Sequence, residues 1–119
     1  MIQYNEKKKI QERVIKMITA KKIEEIKEKI VKTIAPEKII LFGSYATGGT
    51  KEESDIDLVV IWNSDLNPHK KNLFLSRLFP KRDFSLDIFA FTKEEAEKFK
   101  DIAGTILYEA FHHGKVIYG

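Results

Sequence analysis

The 119-residue sequence contains no cysteine. That absence excludes disulfide bridges and thiolate-ligated zinc, and it fits a reducing, cytoplasmic setting. No apolar run is long enough to span a bilayer, and no signal-peptide pattern is present. Histidine is scarce. His69, His112 and His113 show no spacing with acidic partners that would suit a metal, and the last two read as polar residues at a helix end. No segment interleaves aromatic and basic residues into a base-stacking platform, so nucleic acid is not a favoured partner. Internal repeats and low-complexity linkers are also lacking.

What is present fits one globular domain with one modest core, at 43% hydrophobic and 33% charged residues. The net charge of +3 comes largely from Lys7-Lys8-Lys9, Lys21-Lys22, Lys70-Lys71 and Lys81-Arg82. These clusters are scattered among helices and loops and read as solvated faces.

Chemistry is concentrated in residues 43–57, where a Gly43-Ser44 turn is followed, ten residues on, by Asp55-Ile56-Asp57. The turn closes one apolar run, 38–42, and the carboxylate pair opens another, 58–62. Both runs read as buried strands. Asp55 and Asp57 are two apart on a strand, so their side chains leave the same face. Such a pair repels itself and becomes favourable when a hard divalent cation sits between the oxygens. Gly43 permits unusual backbone angles and the close approach of a ligand. The Ser44 hydroxyl and nearby backbone N–H groups can donate to phosphate oxygens. Gly48 and Gly49 supply a second flexible corner. The plainer reading is a hairpin with a solvent-facing Asp-x-Asp, but strong apolar runs on both sides weigh against it.

A further run, 84–91, carries Asp87 in its middle. Phe84, Leu86, Ile88 and Ala90 would share one face, and Asp87, Phe89 and Phe91 the other. A carboxylate there is costly to bury unless paired or metal-bound. Asp87 on a solvated face is the plain alternative, and Asp83, in the turn region 80–83, is a competing candidate.

The remaining elements follow from periodicity. Ile10, Val14, Met17 and Ile18 form one helical stripe, and Ile23, Ile26, Ile30 and Ile34 form a second. The phase breaks near Thr19-Ala20, which predicts two helices or one bent helix, with Thr19 able to cap the second. Ala35-Pro36 ends it. Strands are expected at 38–43 and 55–62, a helix at 69–79 and a strand at 84–91. Thr92 is placed to cap a helix to about Lys100, with Glu95 at the capping-box position. A last helix is expected over 103–112, stopped by Gly114, followed by a closing strand at 115–118. The expectation is an α/β (α+β) domain, a small mixed sheet with helices packed mainly on one face. Residues 1–21 form an N-terminal helical extension and 22–119 the domain proper.

The stretch from Leu41-Phe42-Gly43-Ser44-Tyr45-Ala46 through Ser54-Asp55-Ile56-Asp57-Leu58 resembles the signature of the DNA polymerase beta-like nucleotidyltransferase superfamily. Within it, the chain looks like a minimal nucleotidyltransferase, the kind often encoded beside a helical HEPN-domain protein as a toxin–antitoxin pair. The resemblance implies a palm-like fold and Mg²⁺-dependent transfer of a nucleoside monophosphate, AMP from ATP, to an acceptor hydroxyl. It implies that Asp55 and Asp57 hold Mg²⁺ and that Gly43 and Ser44 grip the triphosphate. Asp87 would be the third carboxylate, sharing the metal and accepting the proton of the attacking hydroxyl. Many relatives carry Arg where this chain has Tyr45 and Thr47, and Thr47 removes a cation that could pair with phosphate.

The implied role is antitoxin, with a side-chain hydroxyl of the HEPN toxin as acceptor. Only the metal-and-phosphate half of larger relatives fits this length. Acceptor recognition must therefore come from a partner, from a second copy in a homo-oligomer, or from a small site on the domain. Two other classes stay open: a small-molecule nucleotidyltransferase of the aminoglycoside-modifying kind, which wants an acidic pocket, and a catalytically silent antitoxin that neutralises by contact. The 5–18 helix is read as an added packing helix, a dimer contact or a partner-binding surface.

Overall fold

The apolar runs pair into one four-stranded sheet. In a computed structural model that describes residues 4–43, 56–80 and 85–119, the strands are β1 (Lys38–Phe42), β2 (Ile56–Ile61), β3 (Leu86–Phe91) and β4 (Lys115–Tyr118). Their order is β3-β2-β1-β4. β1 runs antiparallel to both β2 and β4, whereas β2 and β3 are parallel. The sheet is thus mixed, as the sequence leads one to expect. A parallel pair needs a crossover, and helix α2 (Pro68–Arg77) lies in the connection between β2 and β3. Asn67 caps α2, its side chain accepting from the Lys70 N–H at 2.9 Å. Asn72 on the same helix accepts from the Ala90 N–H at 3.1 Å. That bond gives a partner to a donor on edge strand β3, which the ladder leaves unmatched on its outer side.

Alternation along the strands divides the core in two. Ile39 and Leu41 of β1, Leu58 and Val60 of β2, and Ile88 and Ala90 of β3 belong to one cluster. That cluster is closed by Ile26 and Ile30 of α1 (Tyr4–Ile34) and Leu75 of α2. The opposite face carries Ile40, Val59 and Ile61, with Phe42, Phe89 and Phe91 packed beside them. It is covered by Ala96 of α3 (Lys93–Phe99) and by Leu107 and Ala110 of α4 (Ile106–His113). Helices therefore cover both faces, where the sequence reading placed them mainly on one. The reason lies in β2: its unbroken Leu58-Val59-Val60-Ile61 run is buried at every position, which is the pattern of a strand covered on both sides.

The two stripes of the N-terminal region lie on one 31-residue helix, α1, with no break at Thr19-Ala20. The expected division between residues 21 and 22 falls inside it. The helix ends as anticipated at Ala35-Pro36. Ala35 adopts φ 45° and its N–H donates to the Val31 carbonyl at 3.0 Å. Among the described residues no helix is long and apolar enough to cross a membrane.

Helix α3 carries the reciprocal cap that the sequence suggests. Thr92 Oγ1 accepts from the Glu95 N–H at 3.1 Å, and a Glu95 carboxylate oxygen accepts from the Thr92 N–H at 2.9 Å. Thr92→Ala is expected to cost about 1 kcal/mol, the usual worth of such a cap. In a chain of this size that lowers the thermal midpoint by several degrees, on the order of 4 °C. Thr92→Ser should recover most of the loss, and a melt unchanged in Thr92→Ala would remove the cap from the stability account.

Helix α4 starts three residues later than the 103–112 expectation. Gly104 sits at φ 88° and Thr105 is the true N-cap, its side chain accepting from the Tyr108 N–H at 3.0 Å. At the other end Gly114 is the C-cap, but its φ of −87° is ordinary. Glycine is needed there for space. An added Cβ would overlap the Ala110 carbonyl oxygen and lie 2.7 Å from Ile40 Cγ2 and 2.8 Å from the Leu41 carbonyl oxygen.

Candidate active site

The sheet register builds the site. Asp57 is the second residue of β2 and pairs with Phe42 of β1 on one side and Asp87 of β3 on the other. Paired residues on adjacent strands project to the same face. Phe42, Asp57 and Asp87 therefore form one row across three strands, at the end of the sheet where β1 finishes and β2 begins. The next row on that face is Ile40, Val59 and Phe89. The Phe42 and Phe89 rings lie 6.0 Å apart in a tilted arrangement. Both pack against the apolar cluster under α4. Asp57 is half-buried and Asp87 exposed.

Gly43 follows directly on β1 and has φ 79°. A Cβ built on it would sit 2.6 Å from Asp57 Oδ2. Glycine is needed here twice over: for the left-handed backbone, and because the backbone runs against the carboxylate. The turn is thus part of the carboxylate's own environment, beyond the phosphate-gripping role expected from sequence. Ser44 and Asp55, with Tyr45, Thr47 and the competing Asp83, lie outside the described residues. Of the five candidates read from sequence, Gly43, Asp57 and Asp87 are brought together.

The polymerase beta nucleotidyltransferase family model matches residues 24–119. The chain belongs to that family. The matched span takes in all four strands and most of the protein. It begins within α1, so the first part of that helix lies outside the family domain. No curated protein and no solved structure matches the chain.

On the nucleotidyltransferase face the structure also shows a cleft that sequence reasoning did not anticipate. It has a volume of about 410 Å³ and is lined by Phe42, Gly43, Gly104, Thr105, Ile106, Glu109 and His113. Small-molecule sites commonly occupy about 300–1,000 Å³. The only trace in the sequence is the helical spacing of Thr105, Glu109 and His113, which share a face of α4. Nothing local ties that face to Gly43, because α4 packs on β1 through Leu107 and Ala110, some seventy residues away in the chain. Further round the helix, His112 Nε2 lies 2.9 Å from Asp101 Oδ1, and its ring stacks on Tyr108 at 4.1 Å. The pairing gives His112 a structural job at the α3–α4 corner.

Two carboxylates in one row form a hard oxygen donor set, which suits Mg²⁺ and would otherwise be repulsive. Asp57 and Asp87 are the described residues that would hold such an ion.

Proposed function

We propose that this nucleotidyltransferase transfers AMP from ATP to a hydroxyl of a partner protein and serves as the antitoxin of a HEPN-type toxin–antitoxin pair. The observation that carries the transferase part is the Asp57–Asp87 row with Gly43 packed against the Asp57 carboxylate. The partner and its hydroxyl come from the likeness to minimal nucleotidyltransferases.

In this reaction the acceptor oxygen forms a bond to the α-phosphorus of ATP. The bond from that phosphorus to the bridging oxygen breaks, and pyrophosphate leaves. Mg²⁺, when bound, would neutralise charge developing on the phosphate oxygens. Asp55 and Asp57 would hold it, with Asp87 sharing it. Asp87, exposed at the edge of the row, would take the proton of the incoming hydroxyl while remaining open to a macromolecular acceptor. Gly43 and Ser44 would bring backbone and hydroxyl donors to the triphosphate. The cleft beside Gly43 offers room for the sugar or base.

Intact-protein mass spectrometry of a HEPN partner after incubation with the chain, ATP and Mg²⁺ tests the reading. The expected result is a gain of one AMP or more, lost in Asp57→Asn. The added anion should lower the partner's toxicity by repelling the RNA backbone. Tight binding without a mass gain would point to neutralisation by contact. One observation favours a second reading: Glu109 gives the cleft an acidic wall, as a cationic small-molecule acceptor would require. AMP transfer to an aminoglycoside in the absence of any partner would decide for it.

A further inference from the structure

The N-terminal half of α1 carries an apolar seam that none of the described residues covers. Ile10, Val14 and Ile18 are about half exposed and Met17 is 72% exposed. Their spacing places them on one helix face. The residues of α1 that pack on the sheet, Ile23, Ile26, Ile30 and Ile34, begin one turn later. At 100° per residue their face is roughly opposite the seam. The phase break in the sequence is therefore a change of face along one continuous helix, with each face built for a different contact. Over residues 5–18 every described side chain is exposed. A helical segment of that length is marginal without packing.

Charge says what can cover it. Residues 4–22 hold seven basic side chains against two acidic ones, whereas 23–34 hold three of each. The seam is bracketed by lysines in its own phase, Lys7 three residues before Ile10 and Lys21 three after Ile18, and Arg13 flanks it. A second copy fits poorly. Antiparallel pairing centred on Val14 sets Lys7 against Lys21, and parallel pairing sets each lysine against itself. An anionic bilayer is also a poor match: the seam is narrow and aliphatic, without the Trp or Phe that anchor interfacial helices. We propose that this half of α1 docks an acidic amphipathic helix of a partner protein, pairing coiled-coil fashion through Ile10, Val14, Met17 and Ile18. Carboxylates of the partner would meet Lys7, Arg13 and Lys21.

The proposal does not rest on the transferase reading, and its test uses no nucleotide. The probe is a labelled three-heptad peptide with Leu and Ile at the seam positions and Glu at the flanking ones. Its control has Lys in place of each Glu. Binding to the full chain is read by fluorescence anisotropy at several salt concentrations. The Glu peptide should bind about tenfold or more tightly than the Lys peptide at low salt, with the advantage shrinking as salt rises. Val14→Glu and Met17→Glu should each remove that binding while leaving the melt unchanged, because both positions are exposed. Equal binding of the two peptides, or none, overturns the proposal. So do seam-dependent dimers of the chain alone in sedimentation, and so does seam-dependent partition onto phosphatidylserine vesicles without preference for the Glu peptide.

Discussion

Asp57→Asn is expected to abolish Mg²⁺-dependent nucleotidyl transfer while the protein stays folded. The substitution keeps the shape of the side chain and removes its charge. Asp57 is the centre of the row, paired with Phe42 and Asp87, and Gly43 packs against its carboxylate. Metal-borne stabilisation of phosphoryl charge is worth several kcal/mol, and about 1.4 kcal/mol is tenfold in rate. The loss should reach roughly a thousandfold. Asp87→Asn should also cut transfer severely, with a revealing difference in stability. Two like charges directly opposite on neighbouring strands cost about 0.2–1 kcal/mol. Removing the exposed member relieves that repulsion, so the metal-free Asp87→Asn protein should melt at or slightly above the wild type at low salt. Mg²⁺ should raise the wild-type midpoint and leave both variants unmoved. Transfer at the wild-type rate in both purified variants would remove the row from the chemistry.

That row shows what the sequence could and could not reveal. Alternation assigned Asp87 to the face of Phe89 and Phe91, and the structure places it there beside Asp57. What alternation cannot give is register, since sliding β3 by two residues keeps every face and separates the carboxylates. The pairing of Asp57 with Asp87 is a product of the β2–α2–β3 crossover, a non-local event. Local signals fared well where the chemistry is local. The Thr92–Glu95 capping box was legible because both partners lie within one turn. The start of α4 lies three residues past the expected one because Gly104 and Thr105 precede the helix, with Thr105 as its cap. The strands themselves stand out as apolar runs, and the unbroken apolar run from Leu58 to Ile61 is the sequence's sign of helices on both faces. The phase change in α1 had two meanings, a break or a new face, and periodicity alone does not separate them. Of the cleft the sequence carries only the shared face of Thr105, Glu109 and His113, because that face meets Gly43 only through packing of α4 on β1.

Gly43→Ala is expected to damage catalysis out of proportion to its cost in stability. Two effects act at this position. A non-glycine residue at φ 79° costs about 1–2 kcal/mol in backbone strain. The new methyl would also lie 2.6 Å from Asp57 Oδ2, inside van der Waals contact, so either the carboxylate or the turn must move. Displacement of a catalytic group by about 1 Å can cost a hundredfold in rate, so transfer should fall by about that factor. Gly43→Val should fall further, because its branches extend toward the space where phosphate would approach. Gly104→Ala separates the two effects. It has a similar backbone, at φ 88°, but its added Cβ meets nothing within 4 Å. Its melt should drop about as far as that of Gly43→Ala, while its kcat should fall far less; Gly104 lines the cleft, so any effect of its methyl on nucleotide binding should appear in KM for ATP. ATP affinity, measured by titration with Mg²⁺, adds a second readout: it should weaken in Gly43→Val more than in Gly43→Ala. If the two alanine variants lose transfer equally, strain alone accounts for Gly43, and its closeness to Asp57 has no bearing on the chemistry.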